Sequence, residues 1–411
     1  MGRDPRRQKP PQNLAHATTN AVIKKCINNN LNNNLNNNKE NNMKYYKYLA
    51  VFSLLALSIS FSKSTPAVEF SLYGDVQYQS SEEEDTFVLG PFHIIADQEI
   101  SDTTLITLDL AFEEHEHAFE THLERFYLKK AFGDHFNFTA GRFQKTLGFW
   151  RHNFHHGSLS QDTITRPFFL ESEEIEEGIF PAHLIGLLFG YESQTTTFQL
   201  AASNSSGMDT ETVANPEDTV HMESLNTSDP SSGKTLVSRF TYRIIEPLEL
   251  GLFAMRNDVV EIGEDHDFTM VEHGETLFEQ QVLGFDASWF TKKLYAFGEF
   301  YQLTIDDNQE TNPAFPYSPN SESYKAIAYY LQLGYRFTNK YTLALRRESL
   351  DFDSGSTFFD IQGIVPETRN VLALNYHIEE SNVLRFEARQ EERENQDTET
   401  FYGLQWFFYL L

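Results

Sequence analysis

Between Phe112 and His122 the chain reads FEEHEHAFETH, with Glu113, Glu114, His115, Glu116 and His117 in unbroken succession and His122 at the end. Imidazole nitrogens and carboxylate oxygens are ligands for zinc and copper. In extended backbone, residues two apart share a face, so His115 and His117, with His122 or a carboxylate, could converge on one cation. The same residues also suit the solvated, acidic tip of a hairpin. A second constellation gathers His155, His156, Ser158, Ser160 and Asp162, the residue types of an activated serine nucleophile. Triad members normally converge from separate elements, and groups crowded this closely in one loop are better read as a hydrogen-bonded turn. The chain has no Gly-rich phosphate loop, paired-cysteine cluster or His-Glu-x-x-His helix.

The elements that must position these residues are strands. Phe70, Leu72, Val76 and Tyr78 alternate with Glu69, Ser71, Asp75 and Gln77, and Ile106, Leu108, Leu110 and Phe112 alternate with Thr107, Asp109 and Glu113. Further on, Gln281, Leu283, Phe285, Ala287 and Trp289 oppose Val282, Gly284, Asp286 and Ser288, while Ile327, Tyr329, Leu331, Leu333 and Tyr335 oppose Ala328, Tyr330, Gln332 and Gly334. One face is aromatic and aliphatic, the other polar or small. A water-soluble sandwich would show the same alternation, so the connections decide. They alternate between short turns and long polar stretches, the latter at Gly148 to Ala182, Ser205 to Gly233, Glu261 to Glu275, Asp306 to Ser323 and Gly355 to Glu367. That pattern predicts an all-β, antiparallel, up-and-down transmembrane barrel of about sixteen strands, with fourteen to eighteen compatible. The last strand, ending FYGLQWFFYLL, stacks Tyr402, Leu404, Trp406, Phe408 and Leu410 on one face, as a lipid-facing strand requires.

Upstream, MKYYKYLAVFSLLALSISFSKSTPA from Met43 has a basic start, an apolar run too short to span a bilayer as a helix, and a small-residue end at Ala67, the features of a secretory signal peptide. Residues 1–42 include NNNLNNNLNNNKENN, a low-complexity tract unable to build a core, and are expected not to be translated. The barrel is therefore expected over residues 68–411. The formal charge of the whole chain is -28; Val68 to Leu411 holds 22 basic and 58 acidic residues, a net of -36. Such a surface repels nucleic acid and anionic headgroups and attracts cations. The single cysteine, Cys26, lies ahead of the signal segment, so the exported part has no disulfide or cysteine metal site.

The stretch LERFYLKKAFGDHFNFTAGRFQKTLGFWRHNFHHGSLSQDTITRPFF, from Leu123, resembles a strand, turn, strand and loop of Gram-negative outer-membrane porins related to the phosphate-selective porins. The shared features are Ala140-Gly141-Arg142-Phe143, Leu147-Gly148, His155-His156 and Arg166-Pro167. The likeness runs over Leu123 to Gly186, about one sixth of the chain. Phosphate selection does not carry over to so acidic a chain, but the resemblance implies a homotrimer and a loop, Gly148 to Ala182, that folds inward to narrow a wide lumen. Arg151, His152, His155, His156 and Arg166 are then constriction candidates, facing Glu171, Glu173, Glu174, Glu176 and Glu177. The alternative is a loop lying outside in solvent. From the polar strand faces, Glu69, Asp75, Asp109, Arg239, Arg243, Glu299, Arg385, Glu387 and Arg389 are candidates to line the pore, or to form salt bridges that brace the wall. The faces of Arg125 and Arg142 are ambiguous, since a bulge could move either across.

The expectation is a passive channel in the outer membrane of a Gram-negative bacterium, without cofactor, in contact with lipid and open to small hydrophilic solutes. The acidic balance makes it cation-preferring. An outer-membrane lipase or protease-like barrel and a non-conducting adhesin or metal-binding surface barrel are the competing readings.

Overall fold

Side chains that alternate in character settle on opposite faces of a pleated strand, and a sheet with one wholly apolar face must turn that face to lipid or to a core. The computed structural model shows which. It describes residues 67–81, 85–115, 118–154, 161–170, 179–181, 183–209, 222–223, 233–262, 276–307, 323–379 and 381–410. The expected extension and nearly all of the signal segment lie outside the described residues.

The first half of the chain forms β1 (Glu69–Ser80), β2 (Asp85–Leu89), β3 (Phe92–Ser101), β4 (Thr104–His115), β5 (Ala118–Phe132), β6 (Phe136–Gln144), β7 (His183–Glu192), β8 (Thr196–Asn204), β9 (Ser206–Asp209) and β10 (Met222–Glu223). The second half forms β11 (Lys234–Ile245), β12 (Leu248–Ile262), β13 (Thr276–Phe290), β14 (Leu294–Asp307), β15 (Ser323–Arg336), β16 (Tyr341–Phe352), β17 (Glu367–Glu379), β18 (Asn382–Arg393) and β19 (Glu399–Leu410). Among the described residues, two short α-helices, α1 (Gly148–Asn153) and α2 (Thr357–Asp360), stand in loops.

Chain neighbours pair antiparallel, and β1 pairs with β19 from Leu72↔Leu410 to Ser80↔Tyr402, which closes the sheet. β2 and β3 are one strand interrupted at Gly90-Pro91: both pair with β1, in successive registers. Proline cannot donate to a ladder, so the break falls where it stands. β9 and β10 are short segments of a long connection, β9 running parallel beside β12. Sixteen strands thus make the closed antiparallel barrel. Short turns at 102–103, 133–135, 193–195, 246–247, 291–293 and 337–340 mark one end.

The outward face carries Leu128, Phe189, Leu200, Phe240, Leu252, Leu283, Phe285, Leu331, Leu345, Leu374, Phe386, Leu404 and Trp406, all exposed. A continuous band of this size is stable only against lipid or another apolar surface. The faces of β13 and β15 fall as their alternation requires, with Asp286, Ser288, Tyr330 and Gln332 buried inside.

At the β4–β5 pair the register slips between Asp109 and Leu110, so Arg125 opposes Asp109 and Leu123 opposes Leu110. Glu124 is the extra residue. A bulge of this kind breaks strict alternation: Glu124 is buried beside His183, at 3.2 Å, and Arg125 also points inward, 2.9 Å from Asp109. Arg142 is buried too, its Nε donating to the Glu124 carbonyl at 3.1 Å.

Candidate pore constriction

Beyond β6 the described residues 145–154 stay inside the barrel. The chain turns at Gly148, where φ is +77°, and α1 lies against the inner wall. Phe149, Trp150, Phe168, Phe169, Leu170, Ile179 and Phe180 from this segment are buried in one cluster with Phe253, Phe297, Tyr301 and Tyr330 from the wall. The core of the molecule is thus a plug of loop against strands.

A loop in that position must satisfy its backbone polar groups away from bulk water, and inward side chains do so. The Trp150 amide donates to Glu299 Oε1 at 2.5 Å, and the Tyr301 and Tyr330 hydroxyls donate to the same carboxylate. The Ile164 amide and Thr165 hydroxyl donate to Glu387, each at 2.7 Å, and the Phe168 amide donates to Glu348 at 2.7 Å. Arg346 donates to the Thr165 and Arg166 carbonyls at 2.8 Å and to Thr163 Oγ1 at 2.7 Å, with its guanidinium 5.3 Å above the Trp150 ring. Asn375 holds the Asp162 carbonyl at 2.7 Å, Tyr295 donates to the Asp162 carboxylate, and Gln280 holds the Ile179 carbonyl at 3.1 Å. Charge-assisted bonds of this kind are roughly twice as strong as neutral ones. The described parts of the loop are therefore hydrogen-bonded to five strands, β13, β14, β16, β17 and β18, and packed on β15 through Tyr330, and lie inside the barrel rather than in outer solvent.

Most charged residues that the polar strand faces single out are inward but covered. Asp109 is shared by Arg125 and by His93, at 3.4 Å; Arg239 forks onto Asp286 at 2.8 and 3.2 Å. Arg385 donates to Asn375 and Gln405, and Asp75 accepts from Gln77 at 2.9 Å. Arg389 lies 2.6 Å from Glu391, while Glu299 and Glu387 are the loop clamps already described. On these residues the charges form bracing contacts, the second of the two roles the sequence left open to them. Arg243 is the exception: it is exposed, 3.6 Å from Glu249, and Glu69 is exposed at the start of β1.

Among the loop candidates, Arg151 is buried and donates to the Leu170 carbonyl at 2.9 Å, so it ties the loop to itself. Arg166 is half-buried, and its carbonyl serves Arg346. His152 faces the lumen, exposed along one side and hemmed in by the wall on the other. That confinement first, then Arg239 and Lys129, push its pKa down to about 4, so the ring is neutral at pH 7. His155, His156, Glu173 and Glu174 lie outside the described residues.

Sequence reading missed Arg346, Glu348 and Tyr330 as clamps, a cluster of Arg369 and Arg393 with Glu367 and Glu391, and Lys145. The Lys145 amine is buried 4.9 Å over the Phe180 ring; burial first, then Arg151, hold its pKa well below the usual lysine range. On β16, the alternation of Thr342, Ala344, Arg346 and Glu348 was the available signal.

The opening hairpin is tighter than a long loop: β4 runs to His115, which pairs with Ala118. His122 is half-buried, 3.9 Å from Glu120. The His115 side chain and His117 lie outside the described residues. Calorimetric titration with zinc is expected to show weak binding that falls further below about pH 6, where imidazole protonates. Tight binding abolished by H115A and H117A would make this rim a metal site instead.

The loop leaves open space. A cavity of about 350 Å³ separates α1 from the wall of β5 to β8, lined by Arg125, Lys129, Thr139, His152, Leu188 and Gln199 among others. A second, of about 430 Å³, opens toward the short-turn end between Asp162, Arg243, Glu249, Phe290 and Arg336.

No protein-family model matches the chain, and no curated protein matches it in sequence. Solved structures do resemble it in shape. The outer membrane channel DcaP of Acinetobacter baumannii superposes with a TM-score of 0.58 at 11% identity, over 85% of this chain and 99% of that one. OmpT, an outer-membrane protein of Vibrio cholerae, gives 0.54 at 11% identity over 85% and 99%. The anion-selective porin from Comamonas acidovorans gives 0.53 at 10% identity over 84% and 99%. At these identities the likeness is one of fold, and the fold it shows is the closed antiparallel sixteen-stranded barrel of outer-membrane channels and porins.

Proposed function

We propose that this chain is an outer-membrane channel through which small hydrophilic solutes diffuse passively, in a Gram-negative bacterium and after removal of the signal segment 43–67. The observation that carries the reading is the loop pinned across the lumen beside an open, polar-lined cavity. A structural plug would need no such gap, and an open barrel would need no such clamps. The exposed apolar band supports a membrane setting. The homotrimer belongs to this proposal through the porin resemblance. The link to phosphate-selective porins rests on the sequence motifs alone.

The enzyme reading finds little support in the described residues, since Asp162, the carboxylate of the Ser and His constellation, is engaged by Tyr295. The acidic exterior would enrich cations at the mouth, an effect that shrinks as the screening length falls from roughly 10 Å at 0.1 M salt to about 3 Å at 1 M. Cation preference overall would require that the narrow passage agree with the mouth.

Purified, folded protein added to a planar bilayer is expected to produce stepwise, near-ohmic conductance increases. A barrel that inserts, as judged by protease protection in vesicles, yet gives no steps would rule the channel out.

A further inference from the structure

The charges on the narrow passage differ in sign from those of the chain as a whole. Beside α1 the inner wall presents Arg125 and Lys129 from β5, Thr139 from β6, Leu188 from β7, and Thr197 and Gln199 from β8. Lys129 is exposed and makes no hydrogen bond or ion pair among the described residues. Its neighbours in register are Leu105 on β4 and Thr139 on β6, so no carboxylate stands beside it on an adjacent strand; two strands away are Leu188 on β7 and, on the other side, the exposed Glu99 on β3. Most of the other acids nearby are engaged, Asp97 by the Thr107 hydroxyl at 2.5 Å. Asp109 is bound by Arg125, Glu124 lies buried beside His183, and Asp286 is forked by Arg239. Glu192, the one carboxylate on the lining of this cavity, sits four residues beyond Leu188 along β7, toward the short-turn end, more than 10 Å away by strand spacing. Tyr127, also on the lining, and the neutral His152 add hydrogen-bonding groups without charge. Arg142 is buried behind the lining, and its charge acts through the wall.

We infer that this passage favours small anionic solutes, those bearing a carboxylate, phosphate or comparable oxyanion, and that Lys129 sets the preference. The inference rests on the channel reading. An ion in the passage moves within a few ångströms of an unpaired ammonium, between low-dielectric walls that focus its field, whereas the acidic exterior acts from a distance and through salt. Thr139, Thr197 and Gln199 supply donors that can replace part of an oxyanion's hydration shell.

The test is reversal potentials in a potassium chloride gradient at about 0.1 M, for the wild type, K129Q and K129E. Lys129 touches no partner, so neither replacement removes a contact that holds the fold. The wild type is expected to prefer chloride, K129Q to lose most of that preference, and K129E to shift the chloride-to-potassium ratio by about threefold or more toward potassium. Added inorganic phosphate should reduce chloride current in the wild type and less so in K129E. Steps of normal size with a cation preference in the wild type, or with the same ratio in all three proteins, would overturn the inference and leave the channel reading standing. Absence of steps in all three would overturn both.

Discussion

Replacing Arg346 with alanine is expected to raise single-channel conductance and to make the open channel noisy, while leaving the barrel folded. Arg346 is the main bolt between loop and wall. Its guanidinium donates to Glu348 at 3.1 Å, to the hydroxyls of Thr163 and Thr165 at 2.7 and 3.0 Å, and to the Thr165 and Arg166 carbonyls at 2.8 Å. Alanine would leave the Glu348 carboxylate buried with, among the described residues, the Phe168 amide as its remaining donor. Breaking a buried ion pair by removing one member costs about 3–5 kcal/mol. The sheet does not share that cost, because β16 is held to β15 and β17 by backbone pairing along its length. The loss therefore falls on the loop, whose remaining anchors at Glu299, Glu387 and Asn375 would hold it less firmly. A lysine at the same place keeps the charge but not the planar fork that reaches several acceptors at once, so R346K should fall between the two. The checks are conductance, open-channel noise, and the fluorescence of Trp150, which packs under this guanidinium. Wild-type conductance in R346A, with unchanged fluorescence, would mean that the other anchors suffice.

The barrel was legible because its signal is local. Each strand of the β13 and β15 type declares its two faces by alternation, and the length of each connection declares the end at which it lies. The sixteen-strand count and the inward set follow from those two facts. What covers an inward residue is not local. Glu387 and Arg346 alternate correctly, yet their partners, Thr165 and its neighbours, lie 222 and 181 residues away in sequence. Nothing in the alternation separates a residue that lines water from one that clamps a loop, and Arg239, Glu299 and Arg385 were open to both readings for that reason. The bulge at Glu124 is a different case. It places two successive residues, Glu124 and Arg125, on the same side, which a period of two cannot express, and the ambiguity at Arg125 was its trace in the sequence. The helix α1 has six residues, too few for a helical period to emerge. Lys129, on the exposed inner face of β5, was hidden by the pairing with Lys130, since adjacent lysines read simply as one charged strand end.

Gly148→Ala is expected to damage the constriction more than any other single-methyl change in the loop, and Gly355→Ala supplies its control. Both glycines have positive φ, +77° and +80°, so both replacements carry the backbone strain of a left-handed residue, about 1–2 kcal/mol. They differ in surroundings. At Gly355 an added Cβ meets nothing within 4 Å, whereas at Gly148 it falls on the Glu299 carboxylate and 2.6 Å from the Tyr301 hydroxyl. That carboxylate has little room to yield, being held by Tyr301, Tyr330 and the Trp150 amide together. Moving it aside would leave the Trp150 amide buried without an acceptor, a further cost of about 1–3 kcal/mol. The turn into α1 should therefore open in Gly148→Ala, exposing the segment between Lys145 and Arg166 to trypsin and raising conductance. Gly355→Ala should leave both readouts close to wild type and lower stability only by its strain. Equal protease resistance and equal conductance in the two variants would show that Glu299 swings clear at little cost, and that the loop is held by Arg346 and Glu387 rather than at its entry.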